Sequence, residues 1–376
     1  MLSLLAAALQ MAMPAAAKDY FVYFGTFTNA SSRGIYVSQL DPDTGKLSAP
    51  ELAAATYSPN FLAVSPSGCF LYTATRVDTF KGKTGGAVSA FAIDGQSGKL
   101  RLCDERFCGG ADPCYVGVDA KGVVLFVANY NGGSVKSFRI NPDGSLTDGT
   151  FIQHHGKSVN ANRQESAHAH CFVAAPGGRF ALACDLGMDK VMIYKYDAAT
   201  ATLSTNDPAF ATVTPGSGPR HLAFSPDGRT VYVINEMACT VTVFAWDRIR
   251  GKLQARQTIS LLPKGIPVKD TYTAAEIAVR PDGRYVYGTV RGHNSVSVLA
   301  VNRRDDSLSL VENVPSGGDF PRGMGIDPTG HWLIIGNQKS GTVTEFTINP
   351  ISGRLTPTGQ VLPVGGVVDV KFVPSR

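Results

Sequence analysis

Arginine, histidine and carboxylate side chains recur at the borders of short apolar runs throughout this 376-residue chain. One group stands ahead of an apolar run that leads into a turn, and it comprises His168, His170, Arg220, His221 and Arg322. A second group follows the run after that turn, and it comprises Arg76, Asn129, Tyr130, Asp185, Glu236, Arg291 and Asn337. Guanidinium and imidazole groups bind carboxylates and phosphates through charge-assisted hydrogen bonds. Gathered in one cleft, this set would therefore suit a small anionic substrate.

Other chemistries find less support in the residue spacing. His168 and His170 form an H-x-H with His154 and His155 upstream, which could ligate a metal, but the spacing fixes no carboxylate beside them. Cys103, Cys108 and Cys114 form C-x4-C-x5-C, which matches no zinc or iron–sulfur pattern. The chain has neither a G-x-S-x-G elbow nor a Gly-rich phosphate loop opening a helix. We therefore expect no metal, no cofactor and no serine nucleophile.

Two repeated signatures indicate the elements that would position these side chains. The first is a P-x-G turn between two apolar runs, as in LAFSPDGRTVYVIN and IAVRPDGRYVYGTV, with one variant that lacks the Pro. Its glycines recur about every 50 residues, at Gly68, Gly122, Gly178, Gly228, Gly283 and Gly330. The second is a strand, a polar turn and a Leu, as in VFAWDRIRGKL, and it occurs seven times.

The two chain ends explain why six copies of one signature accompany seven of the other. The carboxy-terminal GGVVDVKFVPS resembles the first half of the missing hairpin, and the amino-terminal DYFVYFGTFT resembles its second half. Joined in one sheet, they would close a ring and remove exposed sheet edges. The chain is thus predicted to be all-β, a single seven-bladed β-propeller of four-stranded antiparallel blades over residues 18–376. A pair of β-sandwich domains is disfavoured, because no linker or change of period divides the chain.

Hairpin topology then predicts a common location for the polar residues. Within each blade the first strand runs toward the P-x-G turn and the second runs back, so residues before the first and after the second share one face. That face would be the mouth of the central channel. Each residue alone is also compatible with a solvated or structural role, and Asn129 and Asp185 could instead bond neighbouring backbone groups.

Composition and the first residues bear on location and partners. Positive charge, +5 overall, is spread along the chain without a basic block, so nucleic acid is not an expected partner. Residues 1–17 form an apolar stretch ending in Ala15–Ala17, which is typical of a signal peptide although a positive n-region is missing. The stretch is too short to span a bilayer, so no membrane insertion is expected. We expect a periplasmic or secreted monomer, with a cytoplasmic location as the alternative.

One cysteine pair differs from the other thiols, which read as small core residues. Cys171 and Cys184 flank the turn at residues 176–179 symmetrically, so a hairpin there would place them opposite each other. An exported protein could join them in a disulfide, and this possibility stays open at this stage.

The ordered motifs resemble the lactonase family of seven-bladed propellers, which includes cycloisomerase-type 6-phosphogluconolactonases and carboxy-cis,cis-muconate cyclases. The resemblance runs over almost the whole chain after the leader. It lies in YFGTFT, VANYNGGSV, QHHGKSVNANRQESAHAH, DLGMDKVMIY, GPRHLAFSPDG, INE, AEIAVRPDGRYVYGTVRGHNSV, FPRGMGIDPTG and GNQKSGTV.

The resemblance implies lactone chemistry and assigns candidate roles. It carries catalytic positions onto Arg220, Glu236, Arg291 and either His170 or His168, with His170 fitting the muconate branch better. Glu236 or a histidine would be the general base on water, while Arg220 and Arg291 would hold anionic groups and stabilise the oxyanion. From the hairpin topology, and not from the resemblance, the residues expected to bind substrate are Arg322, Arg76, Asn129, His221 and Asn337.

Three functions remain open on this basis. The first is metal-independent hydrolysis of a small sugar lactone to the aldonic acid, as in 6-phosphogluconolactonases. The second is a lactonising cyclase of the carboxy-muconate type on the same scaffold. The third is a propeller that binds a ligand or protein without catalysis, since fold does not determine function. Export would favour an unphosphorylated lactone over a cytoplasmic sugar phosphate.

Overall fold

A computed structural model of the protein describes residues 19–28 and 31–376. The expected signal peptide, residues 1–17, lies outside the described residues. Seven four-stranded antiparallel sheets make up the described part, together with one small two-stranded hairpin. The prediction of a seven-bladed propeller is thereby confirmed.

The blades are numbered here from the first one completed along the chain, with strands given from the channel outward. Blade 1 consists of β4 (Pro59–Val64), β5 (Phe70–Thr75), β8 (Ala87–Ile93) and β9 (Leu100–Phe107). Blade 2 consists of β10 (Pro113–Val118), β11 (Val124–Asn129), β12 (Ser134–Ile140) and β13 (Leu146–Gln153). Blade 3 consists of β14 (Ala169–Ala174), β15 (Phe180–Asp185), β16 (Lys190–Asp197) and β17 (Thr202–Thr212). Blade 4 consists of β18 (Pro219–Phe224), β19 (Thr230–Asn235), β20 (Thr240–Asp247) and β21 (Lys252–Ser260). Blade 5 consists of β22 (Thr273–Val279), β23 (Tyr285–Arg291), β24 (Ser295–Val301) and β25 (Leu308–Pro315). Blade 6 consists of β26 (Pro321–Ile326), β27 (Trp332–Asn337), β28 (Thr342–Ile348) and β29 (Leu355–Pro363). Blade 7 consists of β30 (Val367–Pro374), β1 (Tyr20–Thr26), β2 (Gly34–Leu40) and β3 (Glu51–Ala55). The hairpin is β6 (Thr79–Phe80) with β7 (Lys83–Thr84), and a short 3-10 turn spans Leu186–Met188.

Blade 7 closes the ring by joining the two ends of the described chain. Strand β30 pairs antiparallel with β1 in a register that places Phe24 opposite Val370. Contacts between innermost strands then run around the whole ring, from β4 through β10, β14, β18, β22 and β26 to β30 and back to β4. The expected closure by the chain ends is confirmed, and it leaves no innermost strand without a neighbour.

The P-x-G signature forms the tight turn between the first and second strand of a blade. Gly228 and Gly283 take φ values of 68° and 72°, a left-handed conformation that glycine adopts without the penalty a Cβ would bring. The Gly228 N–H donates to the Ser225 carbonyl at 2.8 Å, which closes the turn. The repeated glycines therefore set where each inner hairpin reverses.

Apolar side chains of neighbouring blades pack together and hold the ring. Between blades 4 and 5, for example, Ile234 and Val243 lie in one buried cluster with Val286 and Leu299. The Leu of the second signature lies at the start of the outer strand and is buried in most blades, as at Leu146 and Leu253. Each blade thus buries both of its faces, which explains the near-continuous apolar runs.

The innermost strands share an irregularity that decides which side chains reach the channel mouth. At the second residue of the strand, one extra residue faces no partner on the second strand, which is a β-bulge. In five blades the bulged residue is Asn60, Cys114, His170, Arg220 or Arg322, while blade 7 has Val368 there and blade 5 is irregular at Ala275 and Glu276. A bulge bends its strand and re-aims the extra side chain, and four of these five residues, all but Arg220, line the cavity at the channel mouth.

Polar residues at the ends of second strands form buried hydrogen bonds that stabilise the blades. Asp185 is fully buried and accepts hydrogen bonds from His154 Nδ1 at 2.6 Å and from the backbone N–H groups of His168 (2.8 Å) and Met188 (3.1 Å). His154 Nε2 lies 2.6 Å from the Tyr194 hydroxyl, so both ring nitrogens of His154 are engaged. His154 thus bonds two side chains of blade 3 through its ring nitrogens. It therefore does not support the metal site that the sequence raised as an alternative.

Cys171 and Cys184 are direct cross-strand partners in blade 3, as the symmetric spacing predicted. Both are buried, and both are free thiols in this structure. For an oxidised, exported protein, the disulfide stays one of two open alternatives, beside two free thiols. No helix in the described part of the chain is both long and apolar enough to cross a membrane.

We expect Asp185→Ala to lower the free energy of unfolding by about 3 kcal/mol, because three buried donors would lose their acceptor. The midpoint of urea unfolding measures the change. Asp197→Ala is the matched control: this exposed carboxylate ends β16 and bonds turn N–H groups, so its loss should cost under about 1 kcal/mol. Equal urea midpoints for the two variants would show that the hydrogen bonds to Asp185 do not stabilise the fold as expected.

Candidate active site

A cavity of about 240 Å³ lies at the mouth of the central channel. Apart from Arg163, it is built from residues at or next to the start of innermost strands and the end of second strands, as hairpin topology predicted. Its lining comprises Asn60, Arg76, Asp112, Cys114, Tyr130, Arg163, His170, Glu236, Arg291 and Arg322. Four guanidinium groups and two carboxylates line it, so positive charge exceeds negative by two. This excess suits a substrate that is anionic or that becomes so during reaction.

Glu236 is held by three arginines from three parts of the chain. Its Oε1 accepts from Arg163 at 2.7 Å, and its Oε2 lies 2.8 Å from Arg291 and 3.1 Å from Nε of Arg220. The Arg220 contact lacks the alignment of a hydrogen bond and is an ion pair. Arg291 is itself fixed, because it also donates to the Thr273 and Ala274 carbonyls. The carboxylate therefore ties together the guanidinium groups around the cavity.

This arrangement determines the charge of Glu236. Burial would raise the pKa of its carboxyl, but Arg291 and Arg220 outweigh burial and hold that pKa well below its usual value. Conversely, partial burial would lower the pKa of Arg163, and the Glu236 carboxylate raises it instead. Glu236 is consequently an ionised carboxylate with little affinity for a proton.

His170 provides the opposite property. Burial, together with the nearby charges of Arg220 and His221, holds the pKa of His170 well below its usual value, so the imidazole is neutral at pH 7. Its Nδ1 lies 3.8 Å from Cys114 Sγ, and its ring packs edge-on against Tyr130 at 5.3 Å. Within the described residues no protein group bonds Nε2. A neutral imidazole at the cavity wall can accept a proton from water.

Arg322 carries a charge that no carboxylate balances directly. In the described part of the chain it makes no salt bridge, and its guanidinium packs 5.3 Å from the Phe27 ring centre. Arg76 lies over the same ring at 5.4 Å but is paired with Asp112 at 2.6 Å. Burial and the charges of Arg220 and Arg291 lower the pKa of Arg322 to about 9, so it stays protonated at pH 7. Arg322 is therefore the cation most available to an incoming anion.

The structure brings six of the residues predicted for this face to the cavity, namely Arg76, Tyr130, His170, Glu236, Arg291 and Arg322. Arg220 does not line it: the side chain is buried behind Glu236 and donates to the Ala275 carbonyl at 2.7 Å. Of the two candidate histidines, His170 lines the cavity and His168 does not. His168 stacks on Tyr130 at 4.6 Å, and its ring nitrogens lie 3.1 Å from the Tyr130 carbonyl and from Glu165.

Three predicted substrate-binding residues lie elsewhere and need correction. His221 is buried, with Nδ1 3.1 Å from the Glu276 carboxylate. Asn129 donates to the Cys108 carbonyl and to Ser134 Oγ, and Asn337 donates to Thr344 Oγ1, so both asparagines are used inside their blades. Each asparagine ends its second strand, and the residue after Asn129, Tyr130, lines the cavity, as Glu236 does after Asn235. A shift of one residue reverses the side of a strand that a side chain occupies.

Four cavity residues were not singled out by sequence reasoning, namely Asn60, Asp112, Cys114 and Arg163. Asn60 and Cys114 occupy the bulge position of their strands, which the register of the repeats could have identified. Arg163 lies in the loop between β13 and β14, where no repeat fixes the course of the chain. Across the described residues, no group of three or more His, Cys, Asp or Glu side chains is placed to hold a metal ion.

The described chain is thus a closed seven-bladed propeller with a small cation-rich cavity at its mouth, beside a neutral imidazole. The chain belongs to the lactonase family of seven-bladed β-propellers, whose family model matches residues 21–372. The family resemblance identified from the motifs is thereby confirmed.

Individual relatives cover nearly the full chain. The 6-phosphogluconolactonase of Bacillus subtilis (strain 168) is 34% identical over 354 residues, which span 94% of this chain and 98% of that protein. A 6-phosphogluconolactonase of Formosa agariphila is 29% identical over 350 residues, 92% of this chain and 97% of that one. The solved structure of a periplasmic gluconolactonase from Pseudomonas aeruginosa is 33% identical, with a TM-score of 0.87 over 95% of this chain and 100% of that one.

Arg322→Met should weaken binding of inorganic phosphate at least about tenfold, since one unopposed cation at close range is worth more than about 1.4 kcal/mol in a buried site. The same change should raise the urea midpoint, because an unpaired buried charge costs free energy of folding, here on the order of 1 kcal/mol. Calorimetry and urea unfolding measure the two effects. Exposed Arg304→Met serves as control, and unchanged phosphate affinity in Arg322→Met would refute the assignment.

Proposed function

We propose that this protein hydrolyses the ring ester of a small sugar lactone to the open aldonic acid, without a metal ion or cofactor. The observation that carries the proposal is the pairing of a neutral His170 with an arginine-rich cavity of about 240 Å³, a size suited to one small ring. Relatives named for 6-phosphogluconolactone and gluconolactone hydrolysis support the same chemistry.

In the proposed mechanism, His170 Nε2 accepts a proton from a water molecule as the water oxygen attacks the lactone carbonyl. Negative charge then develops on the carbonyl oxygen, where Arg291 and Arg163 lie as fixed cationic donors. The tetrahedral intermediate collapses, the bond between carbonyl carbon and ring oxygen breaks, and the imidazolium returns its proton to that oxygen. Arg322 and Arg76 hold an anionic or hydroxyl group at the other side of the ring.

Glu236 takes a different role from the general base expected for it. A carboxylate whose oxygens are engaged by guanidinium groups and whose pKa lies well below normal is a weak base. We assign it to positioning: it holds Arg163 and Arg291 in place and offsets their mutual repulsion, so that both face the developing oxyanion. Arg220 supports the same carboxylate from behind.

The charge excess in the cavity favours a lactone that carries a phosphate or carboxylate, while the expected signal peptide favours an unphosphorylated sugar lactone outside the cytoplasm. A pH-stat assay against the spontaneous rate, with glucono-1,5-lactone, 6-phosphogluconolactone and muconolactone, distinguishes these and tests the cyclase alternative. Turnover that survives a chelator is expected. Absence of turnover on all three lactones would reject the proposed function.

His170→Gln should lower kcat by about 10²–10⁴-fold, the usual contribution of a positioned general base, with a smaller effect on KM. Initial rates of lactone opening measure this. His155→Gln, an exposed change in the adjoining loop, is the matched control and should keep wild-type kinetics. Comparable kcat in both variants would exclude His170 as the base.

The pH dependence of kcat/KM follows from the lowered pKa of His170. The base form persists below the ordinary imidazole pKa near 6.5, so the rate should stay level from neutral pH downward through 6.5 and fall only at lower pH. Stopped assays between pH 4.5 and 7.5 would locate the acid limb. A limb centred above 6.5 would contradict a buried, cation-flanked base.

A further inference from the structure

A second cavity of about 420 Å³ adjoins the site cavity, and Arg163 lines both. We call it the flanking cavity. Its lining comes from the loop between β13 and β14 and from the loop between β21 and β22, and it includes Asn160, Asn162, Lys269, Asp270 and Tyr272. Arg163 forms their common wall, so the two cavities meet at this side chain.

The backbone of the site continues directly into the flanking cavity. Met237, which lines it, follows Glu236, and Thr273, which also lines it, accepts a hydrogen bond from Arg291 through its carbonyl. The Ala274 N–H donates to the Glu236 carbonyl at 2.9 Å, so the two segments are joined. The position of the flanking cavity relative to Glu236 and Arg291 is therefore set by the same hydrogen bonds that set the site.

The two cavities differ in net charge. The site cavity has an excess of two positive charges, whereas in the flanking cavity Lys269 is offset by Asp270 and Arg163 is neutralised by Glu236. A phosphate or carboxylate gains little in such surroundings and is drawn to Arg322 instead. The flanking cavity is consequently suited to an uncharged group.

The side chains of the flanking cavity are those that recognise hydroxyl-rich rings. Tyr272 is half-buried and its ring is supported by an edge-to-face contact with His293 at 5.3 Å. An aromatic face can pack against the C–H face of a sugar. An amide both donates hydrogen bonds to sugar hydroxyls and accepts them, and a carboxylate accepts them. Asn162 and Asp270 are exposed at the rim and supply those groups.

We propose that the flanking cavity binds a second, uncharged sugar unit, and that the substrate class of this site includes lactones of oxidised disaccharides. This inference rests on the proposed lactone hydrolysis. Water would open the lactone ring held in the site cavity, breaking only its carbonyl carbon–ring oxygen bond. The glycosidic bond to the second sugar would cross beside Arg163 and remain intact.

The test compares kcat/KM for cellobiono-1,5-lactone with that for glucono-1,5-lactone in the same preparation. The wild-type ratio is expected to exceed one, and Tyr272→Ala should lower that ratio about fivefold by removing the packing surface. Tyr57→Ala is the matched control, because Tyr57 is an exposed tyrosine of another cavity at the same mouth. Its ratio should stay at the wild-type value.

A wild-type ratio of one or less, or a ratio that Tyr272→Ala leaves unchanged, would overturn the inference while turnover of gluconolactone upholds the hydrolase. Calorimetric binding of the open acids cellobionate and gluconate provides a readout independent of turnover. Tighter binding of cellobionate, lost in Tyr272→Ala, is expected. Equal affinities for the two acids would reject the second sugar site even if the protein opened no lactone.

Discussion

Closure of the ring is the constraint on which the rest of the molecule depends. Once β30 pairs with β1, the innermost strands of all seven blades lie against one another around a narrow channel. At the mouth of that channel, bulges place Asn60, Cys114, His170 and Arg322 in the cavity, and Arg220 behind Glu236. A bulge turns its extra residue out of the normal alternation. Residues more than 250 positions apart in the chain thereby meet in one cavity.

Crowding several guanidinium groups into that cavity is electrostatically unfavourable unless a carboxylate lies among them. Glu236 meets this requirement for Arg163, Arg220 and Arg291. Arg322 is left without a carboxylate partner within the described residues, and burial near other arginines lowers its pKa. A charge that is costly in the empty protein and favourable in a complex with an anion is typical of a binding site, where stability and function conflict.

The same arginines give the two candidate bases different charges at pH 7: Glu236 is ionised and His170 is neutral. Cations that keep Glu236 ionised also keep His170 neutral, because a positive neighbour favours a carboxylate and disfavours an imidazolium. The site therefore holds a fixed negative charge and an available proton acceptor side by side. This division explains why the geometry favours His170 for proton transfer and Glu236 for positioning, although the motifs alone left both open.

The sequence by itself determined the architecture and much of the site. The spacing of P-x-G turns, the seven strand-turn-Leu repeats and the two half-hairpins at the chain ends were enough to predict the closed ring, because turn chemistry and strand periodicity are local properties. Hairpin direction was enough to place Arg76, His170, Glu236, Arg291 and Arg322 at one mouth.

Only the tertiary structure decided which neighbouring residue reaches the cavity. Asn129 and Asn337 end their strands one position before the mouth and bond within their blades, and Arg220 lies behind the carboxylate it was expected to accompany. Arg163 enters from a loop whose course no repeat dictates. A strand reverses its side chains at every residue, and loops follow the packing around them, so burial, pairing and pKa at the mouth depend on distances that the order of residues does not contain.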